Sequence, residues 1–243
     1  MWNKRILLIA GVLIPFSLVA QTPSDPIEMF RAVVARLTAA PAMRVHVEKR
    51  FDVVLLDGAK VEYSGALDVI VQPSAGLFLD YGDDLSARRV WYDGVTMTLL
   101  DDLNNVYASV PVSGPVSEAL SHISQNYGVE MPLAPLLKKN LVDDLVTLGS
   151  ASYLGIHDVE GEPCHHLLFR GPENDLQLWI STGAEPLLRK LVVTFWDIEG
   201  APQQSLTFSD WDLDAKIDAS VFKAQIPEGA IPVEFLSEGG KSP

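Results

Sequence analysis

Cysteine is almost absent: the chain of 243 residues has one, Cys164. An intramolecular disulfide is therefore excluded, and packing alone must hold the fold. Also missing are a glycine-rich phosphate loop, an H-E-x-x-H pair, a G-x-S-x-G elbow and a C-x-x-C pair. The common signatures of nucleotide binding, zinc proteolysis, serine hydrolysis and thiol redox chemistry thus do not apply. Basic residues are scarce, 18 Lys and Arg against 32 Asp and Glu, which leaves a formal charge of −14. A surface of that sign repels nucleic acid, so no nucleic-acid partner is expected.

Long apolar runs are confined to one place. Ile6 to Val19 follow Lys4 and Arg5 and end beside the small residue Ala20. The run falls short of the roughly 20 residues that span a bilayer, so residues 1–20 read as a cleaved signal peptide, with an uncleaved anchor as the alternative. No cysteine follows it to carry a lipid. The expectation is a soluble periplasmic protein, monomeric, with a net charge of −16 once Lys4 and Arg5 are removed. Hydrophobic residues make up 48 % of the chain, enough for a sizeable core.

What is present is mostly period-two patterning. A helix comes first: Asp25 can cap it, Pro26 suits its first turn, and Glu28 stands where a capping box would place it. Ile27, Phe30, Val34 and Leu37 give it one apolar face, and Pro41 ends it. From Met43 onward Val45, Val47, Phe51, Val53 and Leu55 alternate with polar residues, and beyond Asp57-Gly58 the pattern resumes through Val61, Tyr63, Leu67, Val69 and Val71. This predicts a long antiparallel hairpin. Further strands are expected at 76–81, 87–92, 96–100 and 106–110, then at 150–157, 163–170, 175–181, 188–197 and 204–212. Between the two sets, residues 113–148 have helical spacing at Val116, Leu120, Ile123 and Tyr127 and more short helical pieces after Gly128.

No repeat or linker divides the chain. The predicted fold is α+β: a single-domain antiparallel half-barrel of about ten strands over 21–236, with an N-terminal helix, a helical insertion (113–148) covering the concave apolar face as a lid or plug, and a tail at 237–243. A sheet of that width tends to curl, and one short helix plus a modest insertion would leave part of its inner side unfilled. The residues expected to line such a cavity are Leu67, Val69, Leu79, Met97, Leu99, Leu120, Ile123, His165, Leu178, Val193, Phe195 and Phe208. Each is equally at home in an ordinary core.

Two features imitate metal or acid chemistry. Asp210-Trp211-Asp212-Leu213-Asp214 resembles the start of a calcium loop, but Ala215 replaces the required glycine and Val221 the closing glutamate. The acid pairs Asp83-Asp84, Asp101-Asp102 and Asp143-Asp144 sit beside turns or on a polar helical face. The stretch Glu160 to Phe169 holds Cys164, His165 and His166 around a Glu160-Gly161 turn. A two- or four-residue loop there pairs 157 with 164, 156 with 165 and 155 with 166. His157, Cys164 and His166 then share one face with Tyr153 and Leu168, while Leu154, Ile156, His165, Leu167 and Phe169 share the other. The first three are the candidate metal ligands, though no fourth ligand is evident; no metal or cofactor is expected.

Three stretches carry a family resemblance. Val90 to Val112, a D-G-x-T turn between strands; "DVEGEPCHHLLF" with "LQLWIS" and "PLLRKLVVTF"; and the closing Asp210 to Ala230 are similar to periplasmic lipoprotein carriers of the LolA and LolB type, and more so to a group of uncharacterised predicted periplasmic proteins related to them. The resemblance implies an unclosed β-barrel whose helices plug a cavity for acyl chains. Arg44, Arg50, Arg88 and Arg89 are all candidates for the arginine that secures the lid in those carriers. The implied function is a non-catalytic carrier of a lipidic or acylated ligand. Alternatives are an envelope sensor that reads a protein partner and, further off, a metal-dependent enzyme.

Overall fold

The computed structural model describes residues 25–128, 131 and 133–235. The expected signal peptide and the tail at 237–243 lie outside the described residues. Helix α1 spans Pro26–Ala39; the Asp25 carboxylate accepts from the Ile27 amide at 2.9 Å, and Phe30, Val33, Val34 and Leu37 are buried at helical spacing. Glu28 accepts from Arg31 Nε at 3.3 Å rather than completing a capping box.

Among the described residues, twelve strands then form one sheet. They are β1 (Met43–Val54), β2 (Lys60–Gln72), β3 (Gly76–Asp83), β4 (Ala87–Tyr92), β5 (Thr96–Asp101), β6 (Val106–Pro111), β7 (Ser150–Val159), β8 (Glu162–Arg170), β9 (Asp175–Ser181), β10 (Leu188–Thr194), β11 (Gln203–Asp212) and β12 (Ile231–Pro232). The order is β12-β6-β5-β4-β3-β2-β1-β11-β10-β9-β8-β7, antiparallel except for the β12–β6 pair, and its two edges do not meet. The expected hairpin is present without a slip: Met43 pairs with Val71, and every step to Val54–Lys60 is in register. Closely spaced turns make most sequence neighbours into sheet neighbours; the long connections are β6 to β7 through the helical insertion and β11 to β12, and β1 pairs with β11 across the two sets of strands.

Alternation sends one side chain in two to the concave face, where Val45, Val47, Leu67, Val69, Leu77 and Leu79 join the apolar faces of the helices in a single buried cluster. α2 (Val116–Tyr127) and α3 (Leu141–Leu148) flank a short 3-10 turn, Ala134–Leu137. All three elements bury residues in that cluster: Leu120 and Ile123, Val142, and Leu136. α1 packs beside them, its Phe30 ring 5.7 Å from that of Phe169 on β8.

The sequence expectation differs from the structure in two places. β10 ends at Thr194 rather than 197, because Phe195 to Pro202 close a tight loop in which the Phe195 amide donates to the Pro202 carbonyl at 3.0 Å. No element is predicted for the segment after β11. It crosses the convex side, where the Phe222 ring packs against Gly76, and adds β12 beside β6, the Ile231 amide donating to the Asn105 carbonyl and the Val233 amide to the Tyr107 carbonyl. This strap covers one sheet edge.

Candidate functional site

The concave face divides into a plugged inner pocket and an open outer cleft. The inner pocket is apolar on every side: Met43, Val45, Val69, Val71 and Leu77 form the sheet wall, and Leu120, Leu133, Leu136 and Leu137 the plug wall. Its free volume is about 30 Å³, so the plug all but fills it. The outer cleft, about 390 Å³, lies over Leu67, Leu79, Val90 and Leu99, with Lys49, Tyr81, Asp83 and Arg88 at its rim. Leu79 and Met131 line both, so Met131 stands between the cleft and the pocket.

The plug is held by packing more than by its own backbone. Neither α2, nor the 3-10 turn, nor α3 receives a side-chain cap at its start. Elements of 12, 4 and 8 residues are too short to be helical in water unaided. An exposed ion pair, Arg31 to Asp143 at 2.7 Å, ties α1 to α3; such pairs contribute about 0–1 kcal/mol. On the other side the Tyr127 ring of α2 meets Phe235, 5.2 Å between centroids, after the strap has passed β12.

The expected cavity residues fall into five places. Val69 and Leu120 line the inner pocket, Leu67 and Leu99 the outer cleft, and Leu79 both. Met97, Ile123, Leu178 and Phe208 are fully buried in the central cluster, and Val193 packs against it. His165 faces the concave side of the β7–β8 end, its Nδ1 3.1 Å from the Tyr153 hydroxyl. Phe195 lies past the end of β10 in the tight loop and is not part of the cluster, which corrects its placement on a strand.

The β7–β8 hairpin has the two-residue turn Glu160–Gly161, both with positive φ (52° and 86°), and pairs His157 with Cys164 and Ile156 with His165 as expected. Gly155, at φ 109°, makes a bulge that sets Tyr153 opposite Leu167. Tyr153 therefore stands with His165 on the concave side, not with His157, Cys164 and His166, and Leu154 changes face with it. The three candidate ligands share the convex face but do not converge. His157 Nδ1 lies 2.8 Å from His166 Nδ1, and His166 Nε2 lies 3.1 Å from Gln177 Oε1. The Cys164 thiol instead donates to the Glu162 carbonyl at 3.4 Å, and burial pushes its pKa up to about 11. Burial also lowers the pKa of His166, which stacks on Trp179 at 4.0 Å. Among the described residues, no group of three or more His, Cys, Asp or Glu is placed to hold a metal. Asp210 to Asp212 end β11, and just beyond it the Asp212 carboxylate accepts from the Asp214 amide rather than opening into a calcium loop.

Sequence reasoning missed Lys49 at the rim, though Arg88 was among its candidate arginines. Lys49 is half-buried at an inward position of β1, and of the four arginines weighed above, Arg88 alone lines the cleft. Arg89 pairs with Asp102, and Arg50 lines a polar hollow on the convex side. The signal for Lys49 is a gap in the stripe: Val45, Val47 and Phe51 are apolar, and a lysine stands between them.

Among solved structures, an uncharacterized conserved protein from Thermus thermophilus is similar at 11 % identity and a TM-score of 0.50, over 85 % of this chain and 97 % of that one. That likeness is one of fold. Lipoprotein LppX of Mycobacterium tuberculosis is similar at 20 % identity and a TM-score of 0.45, over 80 % of this chain and all of that one. A LolA superfamily protein from Nitrosomonas europaea is similar at 10 % identity and a TM-score of 0.38, over 82 % of this chain and 97 % of that one. No curated protein matches the chain. Residues 27–236 match the family described as "Predicted periplasmic protein (DUF2092)", and the chain belongs to that periplasmic family.

Proposed function

We propose that the protein is a non-catalytic periplasmic carrier that holds the acyl part of a lipidic ligand against the concave face of the half-barrel. The observation that carries this reading is the pairing of an open apolar cleft with an apolar pocket behind it, closed by a plug of short, uncapped helical elements. In this closed form the plug buries its own leucines where a ligand chain would lie. Each methylene that enters contributes about 0.8 kcal/mol, and the cost it must offset is the release of Leu133, Leu136 and Leu137 from the sheet wall. Residues 113–148 act as the lid, moving away as a unit, while the sheet stays fixed. Native mass spectrometry of protein gently extracted from its own envelope is expected to show an adduct of lipid mass. A ligand-free protein that also ignores fluorescent fatty acids would refute the reading.

A second reading, an interaction module of the envelope, is favoured by one observation. Among the described residues, β7 ends the sheet as an unpaired edge of ten residues, and its Leu154 and Ile156 are exposed. Such an edge can accept a strand from a partner. Recovery of one stoichiometric protein partner without any lipid adduct would select this reading over the carrier.

A further inference from the structure

Lys49 occupies a position that its strand otherwise reserves for apolar side chains. Its partner across β1–β2 is Gly65, where a Cβ would lie 2.4 Å from the Gly82 carbonyl oxygen. The Asp83 Cβ would lie equally close, so Gly65 lets β3 approach β2, and the Lys49 ammonium reaches across to β3. It donates to the Tyr81 hydroxyl at 2.8 Å and lies 4.2 Å from the Phe51 ring centroid and 5.0 Å from that of Tyr81. Tyr81 in turn donates to Asp83, whose carboxylate also accepts from the Leu85 and Ser86 amides. Asp83 is thus already engaged by its own turn. Among the described residues, neither Lys49 nor Arg88 has a carboxylate within ion-pair distance.

Two cations without ion-pair partners share one cleft rim, on a chain of net charge −14. Burial lowers the pKa of Lys49, so its charged form lacks solvation that the aromatic rings only partly replace. An anionic oxygen placed between Lys49 and Arg88 would restore it through charge-assisted hydrogen bonds. Directly inward from that spot lie Leu67, Leu79, Val90 and Leu99, then Met131 and the plugged pocket.

We propose that the cleft is a head-group site for an anionic amphiphile, a carboxylate or phosphate ester on an acyl chain. Lys49 and Arg88 hold the head, and the chain runs over Leu79 and past Met131 into the space of the plug. The proposal rests on the carrier reading and adds the sign of the ligand to it. A cationic or uncharged head leaves both cations unanswered, and a free anion without a chain leaves the apolar floor wet.

The test is isothermal titration of the purified protein with four ligands that share one chain: dodecanoate, dodecyl phosphate, dodecanol and dodecyltrimethylammonium. The anionic pair is expected to bind about tenfold or more tighter than dodecanol, and the cation weakest of all. Arg88→Gln and Lys49→Met are each expected to weaken the anions about fivefold and to leave dodecanol unchanged. Inorganic phosphate at equal concentration is expected not to displace dodecyl phosphate. Equal affinity of wild-type protein for dodecanoate and dodecanol would overturn the head-group site and leave the carrier reading standing, and this comparison needs no variant. Displacement by inorganic phosphate would overturn it as a site for an amphiphile. Absence of binding by all four would remove the carrier reading itself.

Discussion

Single side chains decide how the two faces of this sheet are used. Cys164 and His166 look reactive in the sequence, yet the thiol is fully buried and hydrogen-bonded to a carbonyl, and His166 is fixed between His157, Gln177 and Trp179. The pKa of Cys164, raised to about 11, predicts an inert thiol. Iodoacetamide at pH 8 is expected to leave native protein unlabelled and to modify Cys164 once denaturant unfolds it. Above pH 9 the unfolded thiol ionises while the native one stays protonated, so the unfolded state binds fewer protons and stability falls as pH rises from 9 toward 11. Denaturant midpoints across that range, compared between wild type and Cys164→Ala, check the sign; a midpoint that rises with pH because of Cys164 would contradict it. The pairing of His157 with Cys164 was legible because a two-residue turn fixes register. The place of Tyr153 was not, since one bulge at Gly155 reverses every face beyond it.

At the level of elements, the strands and α1 follow from local pattern: alternation sets each strand, and Asp25-Pro26 sets the helix start. The strap after β11 does not. It has no periodicity, and its docking depends on contacts far apart in sequence, above all the Phe222 ring seated over Gly76. A Cβ added at Gly76 would lie 2.4 Å from that ring. Gly76→Ala is therefore expected to cost about 1–3 kcal/mol, the range for overpacking, and Phe222→Ala in the same chain to recover part of the loss. Chemical denaturation of both single variants and the double variant measures this coupling; additive costs would show that the strap is not held there. Lys49 belongs to the same lesson. A lysine in an apolar stripe is visible in the sequence, but its meaning depends on Gly65, Phe51 and Tyr81, which only pairing brings together.

For the whole molecule, a meander of hairpins implied an open, curled sheet, and the observed order agrees with it. How far the helices fill the curve was not legible, because filling depends on side-chain volumes across elements rather than on any one element's period. The structure shows a plug that leaves about 30 Å³ inside and an open cleft of about 390 Å³ outside. The carrier reading requires these two states of one space to exchange: the plug moves out and the chain moves in, while the sheet keeps its hydrogen bonds. Amide hydrogen exchange with and without saturating dodecanoate follows that exchange directly. The account predicts faster exchange within 116–147 on binding, by about tenfold or more, with β1, β2 and β3 unchanged or slower. Unchanged or slower exchange throughout 116–147 in the presence of bound dodecanoate would contradict it.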